Sequence, residues 1–168
     1  MINFKMIKEF KILKKTTFKD NRGQLWTTWK KGIFSKVKFN HDKFSISKKN
    51  TLRGFHCDFK SWKMITSVYG KFILVVVDMR KNSKHYLKHK KWILDHKKPK
   101  LILIPPYYAN AHLCLSSFCI FHYKWSYSGK YIDAKKQKSY QWNDPKIKIK
   151  WPIKKPILSK RDKKSKLL

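Results

Sequence analysis

An all-β sandwich or barrel is the fold class this sequence predicts, and three observations predict it. Glycine is scarce, at 5 residues in 168, and no apolar stripe at helical spacing runs for a useful length. Short runs rich in β-branched and aromatic residues recur instead, with turn signals between them. Several of these runs alternate apolar and polar positions, the pattern of a strand buried on one face.

The elements follow in order. Leu52-Arg53-Gly54-Phe55 reads as an apolar strand entry that leads into His56. Because Arg53 and His56 are an odd number of residues apart, a bulge near Gly54 is expected if both serve one site. Lys63–Val68 and Lys71–Met79 read as strands, with Tyr69-Gly70 between them as a hairpin turn. Lys100–Ile104 is a strand that Pro105-Pro106 must end, because proline offers no N–H to a ladder. In Cys119–Trp125, Phe121, Tyr123 and Trp125 share one face and His122 and Lys124 the other. Ile147, Ile149 and Trp151 alternate with lysines in the same way and predict a further strand. No repeat or linker interrupts the chain, so residues 1–168 are expected to form a single domain, with 163–168 a basic tail expected to fray. A chain of this length can bury a proper core.

Composition narrows the function classes. Hydrophobic content of 42% and aromatic content of 15% exclude a disordered basic tail protein. Against 42 Lys and Arg stand only 9 Asp and Glu, a net charge of +33. Such a balance raises a polyanion partner, nucleic acid above all. Here the charge is nearly all lysine, spread in pairs between apolar runs instead of gathered in one stripe, which favours plain solvated positions over a nucleic-acid surface. A diphosphate ligand would benefit from the field either way. Cys57, Cys114 and Cys119 are odd in number and form no Cys-x-x-Cys pair, which suits a reducing compartment. Lysines interrupt every apolar stretch of the N-terminus, so no signal peptide is read there. The runs Phe72–Val77 and Leu101–Pro106 are too short to span a bilayer. A cytoplasmic protein with no membrane partner is expected.

Acid–base chemistry has few carriers. The acids are Glu9, Asp20, Asp42, Asp58, Asp78, Asp95, Asp133, Asp144 and Asp162, and the histidines are His41, His56, His85, His89, His96, His112 and His122. His85, His89 and His96 lie among lysines and read as surface, whereas His56 follows an apolar run and reads as interior. One open alternative is an Fe(II) oxygenase, since His56-x-Asp58 with a distal His112 has the ligand types of a facial triad. A basic nucleic-acid-binding β-barrel is another.

Six collinear segments point elsewhere: 52–56 (Leu-Arg-Gly-Phe-His), 72–80 (Phe-Ile-Leu-Val-Val-Val-Asp-Met-Arg), 123–127 (Tyr-Lys-Trp-Ser-Tyr), 142–145 (Trp-Asn-Asp-Pro), Trp151-Pro152 and 158–162 (Leu-Ser-Lys-Arg-Asp). Together with Asp20-Asn21-Arg22-Gly23 they resemble the dTDP-4-dehydrorhamnose 3,5-epimerase family over almost the whole chain. That resemblance implies a cupin-type jelly-roll β-sandwich, a single domain with short helical or irregular ends. Where the family has an aromatic and a glutamine after its base, this chain has Cys57-Asp58. Its Ala-His-Gly is Ala109-Asn110-Ala111 here, with His112 next, and its Gly-Lys is Trp62-Lys63. In these departures the chain looks more like a branch acting on GDP-linked 4-keto-heptoses in surface-polysaccharide synthesis.

The resemblance also implies a chemistry: epimerisation of a nucleotide-linked 4-keto sugar at C3, or at C3 and C5, with no cofactor. A ketone acidifies its neighbouring C–H bonds, so the enzyme needs a base, a proton donor on the other ring face and a cation at the enolate oxygen. By the family's pattern His56 is the base, Asp162 its partner carboxylate, Tyr123 the donor and Lys63 the cation. Arg22 and Arg53 match arginines that hold the diphosphate. Asn110, His112, Gln137 and Arg161 are further substrate-binding candidates. A homodimer in which an N-terminal strand or arm reaches the neighbour is implied as well, while a sugar-nucleotide-binding relative without activity stays the last alternative.

Overall fold

Phe72–Val77 is continuously apolar, without the alternation of a strand that faces water, and such a run demands cover on both faces. A computed structural model, which describes residues 11–13, 17–30, 32, 37–128 and 137–168, shows how that cover arises. The strands are β1 (Lys11–Leu13), β2 (Thr17–Asp20), β3 (Gly23–Trp26), β4 (His41–Lys48), β5 (Leu52–Cys57), β6 (Lys63–Tyr69), β7 (Lys71–Asp78), β8 (His89–Asp95), β9 (Leu101–Ile104), β10 (Tyr108–Cys114), β11 (Phe118–Trp125) and β12 (Lys138–Ser139). A one-turn helix, α1 (Lys160–Lys163), follows. One antiparallel sheet has the order β1-β9-β6-β11-β4 and the other β12-β5-β10-β7-β8, while β2 and β3 form a separate ribbon. This is the two-sheet arrangement of a jelly-roll sandwich.

Two apolar layers sandwich the second sheet. Phe72, Leu74 and Val76 of β7 point inward, to Ile65, Ile102 and Phe121 of the facing sheet. Ile73, Val75 and Val77 point outward beside Leu52 and Phe55 of the same sheet, where Ile147 and the half-buried Trp142 and Trp151 cover them. Each such fully buried side chain is worth about 1.5–3 kcal/mol. The C-terminal third of the chain therefore supplies the outer cover that the β7 run requires.

Three expectations need correction. Tyr69-Gly70 is not a hairpin turn: β6 and β7 lie in different sheets, and Gly70, at φ +72°, carries the chain across the sandwich. Residues 147–151 form no strand, because they lie across the outer face of the second sheet, where no edge is available to pair with them. Residues 163–168 are not frayed. Leu168 N–H donates to the buried Asp144 carboxylate at 2.7 Å, Gln141 N–H donates to the Lys166 carbonyl at 3.1 Å, and Ser165 Oγ donates to the Arg161 carbonyl at 3.1 Å. Glu9 and Asp133 lie outside the described residues.

Candidate active site

Arg53 and His56 stand three positions apart on β5, so a flat strand would send them to opposite faces. The structure has a bulge that prevents this. His56 pairs with Asn110 and Arg53 with His112, so three steps along β5 match two along β10. Gly54 sits in the bulge at φ +121°, and a Cβ there would stand 2.6 Å from the Asn110 carbonyl oxygen and 2.7 Å from Ala111 Cα. Only glycine fits. Leu52, Phe55 and Cys57 consequently pack outward, while Arg53 and His56 line a cavity of about 430 Å³ between the sheets.

Alternation delivers the other walls. Asn110 and His112 share the inward face of β10, and Lys63 opens β6 on the inward phase it shares with Ile65. Phe121, Tyr123 and Trp125 face the cavity from β11, on the sheet opposite His56, and Gln137 and Arg161 close one side. Eight of the ten expected site residues thus line one cavity, and Asp162 stands directly behind His56. Arg22 is not brought there. It caps the β2–β3 ribbon, its guanidinium held 2.7 Å from Asp20, whose carboxylate also accepts the Arg22 backbone N–H.

The electrostatics sort the groups by role. Asp162 Oδ1 accepts from His56 Nε2 at 2.7 Å, so the neutral ring carries its proton on Nε2 and keeps the lone pair on Nδ1. Burial pushes the His56 pKa below its ordinary value, outweighing the upward pull of Asp162. Burial would raise the Asp162 carboxyl, but His56, the Ser159 hydroxyl and the Gly54 N–H together hold it below the usual range. Ser159 caps α1: its Oγ accepts the Asp162 backbone N–H at 3.1 Å and donates to the Asp162 carboxylate at 2.9 Å, which fixes the carboxylate's position. Lys63, only 6% exposed, donates to Asn110 Oδ1 at 3.0 Å across the two sheets, and burial drives its pKa from 10.5 to about 8. Arg53 donates to Ser47 Oγ and the Ile46 carbonyl on β4, and Arg161 to Ser139 Oγ and the Gln137 carbonyl.

Asp58 has a structural task instead of a ligand's. Its carboxylate accepts the N–H groups of Lys60 and Ser61 and the Trp125 indole N–H at 3.1 Å. Among the described residues no three His, Cys, Asp or Glu side chains group as a metal site would require. Sequence reasoning missed Lys43, Phe44 and Ser45 of β4, which also line the cavity. The apolar–polar alternation of β4 was their only signal, and it marks a strand without marking a site.

A neutral histidine oriented by a carboxylate on one sheet, a tyrosine on the other and a buried cation between them are equipment for moving protons on a bound anion. The class they define, on a jelly roll, is the sugar epimerases. Residues 5–168 match the family model described as dTDP-4-dehydrorhamnose 3,5-epimerase, and the chain belongs to that family. It is 31% identical over 169 residues to the dTDP-4-dehydrorhamnose 3,5-epimerase of Salmonella typhimurium, covering 94% of this chain and 89% of that protein. It is 29% identical over 162 residues to the Shigella flexneri enzyme of the same name, covering 90% and 86%. Among solved structures, dTDP-6-deoxy-D-glucose-3,5-epimerase from Legionella pneumophila in complex with dTDP-4-keto-L-rhamnose superposes with a TM-score of 0.87 at 26% identity, over 96% of this chain and 89% of that one. The dTDP-4-dehydrorhamnose 3,5-epimerase of Bacillus anthracis, with TDP and pyrophosphate bound, gives 0.87 at 27% identity, over 95% and 94%. The protein is an isomerase of the epimerase type.

Proposed function

We propose that this chain epimerises a nucleoside-diphosphate-linked 4-keto sugar at C3, or at C3 and C5, with His56 as base. The observation that carries the reading is the His56–Asp162 pair facing Tyr123 across a cavity that also holds the buried Lys63. His56 Nδ1 takes the proton from the carbon beside the ketone, and Asp162 stabilises the imidazolium. The electron pair delocalises onto the ketone oxygen, where the Lys63 ammonium offsets the charge. Tyr123 then donates a proton to the opposite face of the ring, inverting the centre. Solvent reprotonates Tyr123 and takes the proton from His56, so each inversion leaves a solvent hydrogen on carbon.

Arg53 and Arg161 bind the diphosphate at the cavity mouth, with Gln137 and Asn110 contacting the substrate beside them. The departures at Cys57-Asp58 and Asn110 favour a GDP-linked heptose over a dTDP-linked hexose. The working unit is a homodimer: the β2–β3 ribbon exposes Phe18 and Leu25, at 64% and 69%, and would carry Arg22 to a neighbour's cavity. Three buried free thiols favour the cytoplasm as the place of action.

The test is solvent deuterium incorporation into GDP- and dTDP-linked 4-keto sugars, read by NMR, for the wild type and His56→Asn. Exchange at C3, with or without C5, that disappears in the variant supports the reading. Absence of exchange with every one of these substrates overturns it.

A further inference from the structure

Lys63 is a buried cation whose hydrogen bond goes to a neutral group, the side-chain oxygen of Asn110. An ammonium so shielded from water needs a negative charge near it to stay charged. Asp58 is placed to supply one. Its carboxylate is 9% exposed, in the connection from β5 to β6, and both oxygens are occupied. Oδ1 accepts the backbone N–H groups of Lys60 and Ser61 at 3.0 and 3.1 Å. Oδ2 accepts the Trp125 indole N–H at 3.1 Å and the Gln137 amide at 3.4 Å. Trp125 is the β11 residue that pairs with Lys63 in the ladder, and both Trp125 and Gln137 line the cavity. Among the described residues, then, Asp58 spends its oxygens on these four donors and none on the ammonium. A direct ion pair would tie up the N–H groups that an enolate oxygen needs. A carboxylate fixed on Trp125 favours the same charge and leaves those donors to a ligand, with Asn110 using one of the three.

We propose that Asp58 is a positioning residue for the isomerisation: it fixes Trp125 and Gln137 in the cavity wall and keeps Lys63 charged without pairing with it. The inference rests on the reading of Lys63 as the partner of the enolate oxygen. The groups around Lys63 leave Asp58 as the one anion that serves it. Burial acts hardest against the ammonium, Asp58 acts next and in its favour, and the Arg161 guanidinium on α1 acts against it. Burial pushes the Cys57 thiol of β5 up to about 12, so it is uncharged where the enzyme works. His56, also on β5, opposes Lys63 as a like charge when protonated. Asn110 on β10 and Trp125 on β11 carry no charge. Removing the Asp58 charge therefore leaves burial and two cations against the ammonium, and Lys63 releases its proton at lower pH. As pH rises, the variant loses its enolate partner before the wild type does.

Two measurements on Asp58→Asn test this, one of them independent of any substrate. In protein labelled with 13C-lysine, the Lys63 signal, identified by its loss in Lys63→Arg, is titrated by NMR. Its midpoint should stand at about 8 in the wild type and about one unit lower in the variant. An unmoved midpoint overturns the assignment. The second measurement is deuterium incorporation into the 4-keto sugar that the wild type exchanges, followed from pH 6 to pH 8. The variant's deficit should widen about fivefold across that range, as a one-unit shift requires. A deficit constant with pH means that Asp58 serves only the fold, and it too overturns the assignment. Should Asp58→Asn fail to fold, Asp58→Gln takes its place, a neutral side chain with an acceptor for the same N–H groups. No exchange by the wild type sinks the epimerase reading, while the NMR midpoints still decide whether Asp58 sustains the Lys63 charge.

Discussion

Replacing Lys63 by methionine should leave the protein more stable and nearly inactive. Folding lowers the Lys63 pKa from 10.5 to about 8, a difference of about 2.5 units, and the first cause is burial. At about 1.4 kcal/mol per unit, the fold disfavours the charged lysine by about 3 kcal/mol. Since the folded value lies below the unfolded one, the unfolded chain binds more protons between pH 8 and pH 10.5. Wild-type stability therefore rises across that window, and the full penalty is present below it. Methionine has a similar length and no charge, but it leaves Asn110 Oδ1 without its 3.0 Å donor. That loss returns about 1–2 kcal/mol, so the net gain at pH 7 is about 1–2 kcal/mol.

Thermal unfolding at pH 7 and pH 10 reads the first half of this prediction. The variant should lead at pH 7, by about 2–4 °C in Tm for each kcal/mol, and its lead should shrink or reverse by pH 10 as the wild type sheds its proton. Deuterium incorporation reads the second half, where loss of the cation at the enolate oxygen should slow exchange about 10²–10³-fold. A variant less stable than the wild type by the same amount at both pH values would refute the buried-charge argument. Undiminished exchange would refute Lys63 as the enolate's partner, whatever the stability.

Three further outcomes are expected. Asp162→Asn should slow exchange about 10²–10³-fold, because His56 loses both its orientation and the charge that stabilises its protonated form; near-normal rates would show that the carboxylate serves only to hold the Ser159 hydroxyl. The kcat/KM profile of the wild type should fall on the acid side with a midpoint below 6.5, since burial depresses His56 and activity is lost as pH drops through the folded value; a midpoint above 6.5 would mean that Asp162 dominates. Gly54→Ala should destabilise by about 2–4 kcal/mol in denaturant titration, from a side chain at φ +121° and a Cβ driven into Ala111, whereas a neutral result would dissolve the argument for the bulge.

Strand identity was legible in the sequence because it is a local property. The alternation that sets Phe121, Tyr123 and Trp125 on one face needs no knowledge of the partner strand, and the odd spacing of Arg53 and His56 implied the bulge that Gly54 provides. Partner choice is not local. Tyr69-Gly70 carries the same turn signal whether the chain doubles back beside itself or crosses to the facing sheet, and only the need to cover both faces of Phe72–Val77 decides between them. The stretch 147–151 fails for a related reason, since alternation describes a segment laid over a sheet as well as one paired along its edge. The Lys63–Asn110 contact was illegible as a pair, because it joins two sheets and its cation is one of 42 lysines and arginines.

That abundance of cations also shows why net charge was a poor guide to function. Every described acid already has a partner inside the fold: Asp20 holds Arg22, Asp42 holds His122 and Lys124, Asp78 holds Arg80, and Asp95 holds Lys71. Asp58 and Asp144 accept backbone N–H groups, and Asp162 accepts from His56. A protein with acids to spare could place a carboxylate in the cavity as a base, whereas here the one beside it is committed to a histidine. In the proposed reaction proton abstraction falls to His56, whose charged form burial disfavours, in a cavity walled by Lys43, Arg53, Lys63 and Arg161. In that reading the kind of cation that would attract any polyanion at the surface acts, within this cavity, on a small dianion and on the oxygen of an enolate. Selectivity between those roles comes from burial and geometry, which the lysine count does not record.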